Sequence, residues 1–212
     1  MKHYVSNSED SSRMFKSDLI ELLSKVHFSV PLIIFVPTIS FFLYLGINAQ
    51  LSVSYFLLYF LLGFLIWTVT EYVMHRFIFH YEPKSKVGQR LHFIFHGVHH
   101  DYPKDRYRLV LPPIVSIPLA SMFYFIYRNV ISTDGFYPFF AAFLIGYLVY
   151  DMLHYAIHHV QFKGKIWNVL KSHHLKHHYV HPEKGYGVSS PLWDKIARTE
   201  FPVDKKNTSE SA

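Results

Sequence analysis

Four long runs of residues almost free of charge set the terms for this chain. Ser29 to Ile47 carries no charged residue, Leu51 to Met74 one acid (Glu71), Leu109 to Tyr127 none, and Phe136 to Leu153 only Asp151. A helix needs about 20 apolar residues to cross a ~30 Å hydrocarbon layer. A spanning backbone must also satisfy its own polar groups, which favours helices. Four such runs are too many to bury in a soluble globule of 212 residues. Composition agrees: 17% of residues are charged, against about 25% in ordinary soluble domains. The expected fold is an all-α integral membrane protein with four transmembrane helices, at about 29–47, 51–74, 109–127 and 136–153. Pro112, Pro113 and Pro118 predict an irregular start to the third.

Lysine and arginine give the topology. Four precede the first run, seven lie from Arg76 to Arg108 and nine from Lys163 onward, leaving Arg128 alone in the short turns. Positive charge collects on the cytoplasmic side, so both termini and the 76–108 segment are expected there, with the bilayer as partner. The formal charge of +6 therefore reflects a membrane surface, and nucleic acid is not an expected partner. Residues 1–28 form an expected cytoplasmic or interfacial arm, in which Phe15 to Phe28 is amphipathic and lies on the membrane or trails as a plain tail. Residues 29–199 form one membrane domain and 200–212 a polar tail. The absence of cysteine excludes disulfides and thiolate metal sites.

Fourteen of the 16 histidines fall between His75 and His181. They cluster as His75 with His80, His96 with His99 and His100, His154 with His158, and His174 with His177 and His178. Spacings of three and four put rings on one helix face, so each of the last three clusters is expected to aim at one point. His75 and His80 do not share a face on an ideal helix, since five residues turn about 140° past the start. That pair predicts a helix that loosens after His75, or ligands approaching from two sides. Ten imidazoles divided between two metals give five nitrogens each and leave an open position on each ion. Imidazole suits iron, copper, nickel and zinc alike, but only a redox metal activates oxygen. His3, His27 and His92 are read as structural. His159, His173 and His181 are adjacent extras, read as supporting, substrate-contacting or surface residues.

Glu71 precedes His75 by four residues, and Asp151 precedes His154 by three. Metal-bound histidines commonly donate their second N–H to a carboxylate, so each acid is expected to support its neighbouring histidine. Tyr147 and Tyr150 lie just before Asp151, where they line a substrate approach or belong to an interfacial aromatic belt.

The flanking strings carry a resemblance. His96-Gly-Val-His-His100 is followed by Asp101-Tyr-Pro-Lys-Asp105 and Arg108-Leu-Val-Leu-Pro-Pro113. Tyr150-Asp-Met-Leu-His-Tyr155, Lys171-Ser-His-His-Leu-Lys-His-His178 and Gly185-Tyr-Gly-Val-Ser-Ser-Pro-Leu-Trp-Asp194 come later. From Glu71 to Thr199 the chain resembles the fatty acid hydroxylase superfamily, in its fatty acid 2-hydroxylase branch. The resemblance implies a cytoplasmic, histidine-rich helical cap holding a di-metal site, with the ten clustered histidines as ligands. It implies hydroxylation at carbon 2 of a long fatty acyl chain, free or in a ceramide, using O2, with iron for activity and zinc as an alternative occupant. It also places Tyr147, Tyr150 and Asp151 beside the acyl head group. Many relatives carry a fused cytochrome b5 domain that 28 residues are too few to hold. Electrons are therefore expected from a separate cytochrome b5-like or ferredoxin-like carrier, and a bacterial inner membrane is favoured over the endoplasmic reticulum. Two other readings stay open: a sterol or carotenoid hydroxylase or desaturase, and a non-catalytic metal-binding membrane protein.

Overall fold

A computed structural model describes residues 13–202, together with Val5, Ser6, Ser8 and Ser11. His3 and most of the polar tail lie outside the described residues. The helices are α1 (Asp18–Leu23), α2 (Ser29–Asn48), α3 (Val53–Val73), α4 (Lys86–His92), α5 (Val98–Asp101), α6 (Pro113–Arg128), α7 (Thr133–His159), α8 (Lys165–Tyr179) and α9 (Leu192–Ile196). Two π-helical turns, Met74–Phe79 and Phe93–Gly97, prolong α3 and join α4 to α5.

Three helical stretches among the described residues are long and apolar enough to span a membrane: Ser29–Asn48, Val53–Phe79 and Thr133–His159. The fourth expected span differs. Residues 109–112 are non-helical, and α6 begins only at Pro113, whose missing N–H is harmless at the first helical position. Its 16 residues cover only ~24 Å. Irregular backbone at membrane depth is tolerated where it lines a cavity, and residues 109–112 do so.

α7 is the central post. Phe136, Phe139, Phe140, Phe143, Leu144 and Tyr147 are buried against Phe35, Ile39 and Phe42 of α2 and Trp67 of α3. Lipid tails are as apolar as these side chains, so close packing holds the helices together. Glycine makes that approach possible: a Cβ at Gly63 would lie 2.0 Å from the Phe139 carbonyl oxygen, and one at Gly146 2.4 Å from Trp67 Cγ. At 27 residues, α7 is ~40 Å long. It overshoots the ~30 Å layer and carries His154 and His158 out on its last turns.

The segment before α2 is packed, not a plain tail. Ser17 caps α1 by accepting from the Ile20 N–H, and the Val26 N–H donates to the Tyr107 carbonyl at 2.7 Å. α1 buries Glu21 and exposes Leu19, Ile20, Leu22 and Leu23, the reverse of a soluble surface helix.

Gly146→Val forces its new side chain into Trp67 and should destabilise the protein by about 1–3 kcal/mol. Denaturant titration in mild detergent, followed by tryptophan fluorescence, measures this.

Candidate metal centre

The π-helical turn after α3 brings the first histidine pair together. The His80 N–H bonds to the His75 carbonyl at 3.1 Å, an i to i+5 bond that widens the turn. The two rings consequently lie 4.9 Å apart. The loosening expected after His75 is thus a defined local structure.

The ten clustered histidines form two groups of five: His75, His80, His96, His100 and His177, and His99, His154, His158, His174 and His178. Within each group one nitrogen per ring lies within 4.8 Å of all the others. The groups adjoin, with His100 and His178 stacked at 4.2 Å between ring centroids. The grouping corrects the expectation that each of the last three sequence clusters shares one target. His96 and His100 join the first group while His99 turns to the second, and His177 separates from His174 and His178. Of those three, only His154 and His158 stay together. Successive helix positions point about 100° apart, so one short helix wedged between two centres feeds both.

The rings fit cations better than they fit one another. His96 Nε2 lies 3.2 Å from His75 Nε2, 3.2 Å from His80 Nε2 and 3.0 Å from His100 Nε2. A neutral imidazole has one N–H and one lone pair, so three such contacts cannot all be hydrogen bonds. Nitrogens held at right angles around an ion at about 2.0–2.1 Å would lie about 3 Å apart. In the second group His158 Nε2 and His174 Nε2 are 3.0 Å apart. The Nε2 atoms of His99, His154 and His178 are buried without a hydrogen-bond partner. Buried polar atoms are rarely left so, and each group of five could hold a metal ion.

Outside the spanning helices, burial drives His80, His96, His99, His100, His174 and His178 well below the ordinary histidine range, and neighbouring imidazoles add to the effect. Burial likewise lowers His177, to about 4. All are neutral at pH 7, the state that offers a lone pair. Two tautomers are fixed from outside. His75 Nδ1 donates to the Tyr186 carbonyl at 2.5 Å and His177 Nδ1 to the Lys184 carbonyl at 2.7 Å. A carbonyl only accepts, so both protons sit on Nδ1 and each Nε2 faces its group unprotonated.

The supporting acids act differently from the sequence expectation. Glu71 does not bond His75; it accepts from the Val188 and Ser189 N–H groups at 2.9 and 2.8 Å and from the Ser189 hydroxyl. It therefore holds the loop whose Tyr186 carbonyl fixes His75. Asp151 does not bond His154 either: it accepts from the Leu111 N–H and the Tyr147 hydroxyl, each at 3.3 Å. Asp194, given no role from sequence, is fully buried. It accepts from the Tyr186 and Gly187 N–H groups at 2.9 Å, Thr199 Oγ1 at 2.7 Å and His173 Nε2 at 3.1 Å. An acid closing the Gly185–Asp194 string was its only sequence signal. The carbonyls of Tyr186 and Lys184 had none, because any residue supplies a carbonyl.

The remaining described histidines lie outside both groups. His173 pairs with Asp194, His181 Nδ1 lies 3.3 Å from Glu183, and His27 Nδ1 lies 2.8 Å from Ser29 Oγ. His159 packs on Tyr155, and His92 ends α4. A cavity of about 470 Å³ reaches His96, His99 and His154, with Tyr147, Tyr150 and Asp151 on its wall and Leu109, Leu111, Leu119 and Phe123 along it.

Fold and site together define a helical membrane protein with two adjoining five-histidine groups bordering an apolar cavity. The family profile for fatty acid hydroxylases matches residues 60–199, and the chain belongs to that family. It is 38% identical over 214 residues to the fatty acid 2-hydroxylase of Rattus norvegicus, covering 91% of this chain and 57% of the relative. It is 36% identical over 199 residues to the dihydroceramide fatty acyl 2-hydroxylase FAH1 of Arabidopsis thaliana, covering 93% and 83%. The solved structure of full-length scs7p, in which only the hydroxylase domain is visible, superposes with a TM-score of 0.83 at 32% identity, over 88% of this chain and 71% of that one. The chain thus spans little more than half of the rat relative's length.

Two outcomes are expected. Asp194→Asn slackens the loop behind His75 and should weaken metal binding about 10–100-fold, measured by competition with a chelator. Folded metal-free protein binds fewer protons than unfolded chain between the ordinary histidine value of 6.5 and the lowered values. Its stability should therefore hold above pH ~6.5 and fall as the pH drops toward 4, as thermal unfolding at a series of pH values would show.

Proposed function

We propose that this protein hydroxylates carbon 2 of a long fatty acyl chain, free or amide-linked in a ceramide. The observation that carries this reading is the apolar cavity that runs to both histidine groups and has its polar residues beside them. Carbon 2 adjoins the head group, so polar groups that seat the head also set which carbon lies nearest the histidines. Tyr150 and Asp151 are assigned that seat, with Tyr147 steadying Asp151 through its hydroxyl. The apolar wall excludes water and aligns the chain, a positioning effect that supplies much of an enzyme's advantage.

The two groups of five histidines would hold two metal ions, iron in the active enzyme and zinc as an alternative occupant. When bound, the metals supply the O2 activation that breaking an aliphatic C–H bond demands, chemistry beyond any side chain. The protein's part is to bring the ten rings together in two groups beside the cavity and to lock His75 and His177 in the Nδ1–H tautomer. Electrons for that chemistry are assigned to a carrier of the cytochrome b5 or ferredoxin kind.

Arg108 lines the cavity but is engaged by Glu21 at 2.5 Å and Asp105 at 3.3 Å. A free carboxylate would meet Asp151 with that guanidinium already committed, which favours an amide-linked head. α6 is read as the fourth membrane element, returning the chain so that both termini and the histidine cap share the cytoplasmic face. The named relatives are from rat and a plant.

Expression in a host lacking 2-hydroxy lipids, followed by mass spectrometry, tests the proposal. The expected result is 2-hydroxy acyl lipid from the wild type and none from His174→Ala. Unchanged lipids from iron-loaded protein supplied with a competent reductant would overturn it. An oxygen or double bond at another carbon would point to the sterol, carotenoid or desaturase readings.

A further inference from the structure

The arm before α2 is a wall of the acyl cavity. Met14, Phe15, Ile20, Leu23 and Ser24 line it, completing a boundary otherwise made by the spans and the cap. Polar contacts hold the arm in place. Glu21 Oε2 accepts from the Met14 and Phe15 N–H groups at 3.0 Å, and Oε1 meets Arg108 Nη2 at 2.5 Å and Lys25 Nζ at 3.3 Å. Arg108 Nη1 also donates to Ser24 Oγ at 2.8 Å, and Arg108 is braced by Asp105. The Glu21 and Arg108 side chains are 9% and 1% exposed, so the pair is sealed between the arm and the cap.

The outer side of the same segment is largely apolar. Leu19 and Leu22 are 66% and 69% exposed. Lys16 is exposed beside them, and Arg13 pairs with the exposed Asp18 at 2.5 Å, while Glu21 is turned inward. Only five residues separate Leu23 from the start of α2 at Ser29, so the end of α1 lies within ~22 Å of the start of a spanning helix. A short helix with leucines outward and a lysine at its rim suits the headgroup boundary of a bilayer.

We propose that residues 13–25 are a membrane-seated gate over the acyl cavity, its outer face bound to the lipid surface and its inner face latched by the Glu21–Arg108 pair. This rests on the cavity being the acyl site. Lipid enters from the bilayer when the latch parts and the arm lifts, and closure restores the water-excluding wall.

The chain's lack of cysteine allows single, unambiguous labels. Leu22→Cys carrying a nitroxide, in vesicles of phosphatidylcholine and phosphatidylserine, should be more accessible to O2 than to an aqueous nickel chelate. Preferential access to the nickel chelate would overturn the membrane seat. For the latch, release of a spin-labelled stearoyl ceramide from the protein is timed by dilution into unlabelled vesicles. Glu21→Gln keeps the side chain's shape but removes its charge, and should speed release about tenfold, the worth of one buried charged hydrogen bond. Ser11 Oγ and Asp105 Oδ2 are 2.7 Å apart, so Ser11→Cys with Asp105→Cys, joined by a cleavable bis-maleimide, should slow release until the linker is cut. That crosslinked form decides the matter if Glu21→Gln does not fold. Release unmoved by the crosslink or by the charge change would overturn the gate. None of these readouts needs turnover, so a gated lipid that is never hydroxylated would sink the proposed activity and leave the gate standing.

Discussion

Burying many imidazoles side by side without charging them is the constraint on which this structure depends. Each ring loses water, and any proton shared among them meets its neighbours' repulsion, so the groups are held neutral with lone pairs converging. Such an arrangement is unfavourable unless something outside fixes each ring and something inside accepts its lone pair. The backbone carbonyls of Lys184 and Tyr186 do the first for His177 and His75. The fit to cations answers the second.

The rest of the cap follows from that need. A carbonyl can orient a histidine only if its loop is rigid, and the 184–190 loop has no secondary structure of its own. Two buried acids from opposite directions tie it down, Glu71 from α3 through Val188 and Ser189, and Asp194 from α9 through Tyr186 and Gly187. The acids thus stand one step further from the centre than a direct carboxylate–histidine pair would. In the membrane half, the same economy of space appears as glycine: Gly63 and Gly146 let α3 close on α7 until backbone and Trp67 touch the post that carries His154 and His158.

The cavity joins the two halves. It lies where α6 starts late, so the non-helical stretch 109–112 frees the Leu111 N–H for Asp151. A helix beginning at Leu109 would have filled this space with its first turn. The proline pair that shortens α6 therefore has a functional reading: it trades part of a span for a wall beside the proposed head-group seat.

The sequence by itself determined the membrane class, three of the spans to within a few residues at most ends, and the ten histidines that meet in space. These signals are periodic or compositional and survive without knowledge of neighbours: charge-free length, proline position, and repeated imidazole at helical spacing. Tertiary structure alone decided how the rings divide, because His99 and His100 are adjacent in sequence and serve different groups according to what flanks a short helix. It also decided the partners of Glu71, Asp151 and Asp194, and the inward turn of Glu21 to Arg108, a contact across 87 residues. A side chain's identity states what bonds it can make; only the packing of distant segments states which of them it makes.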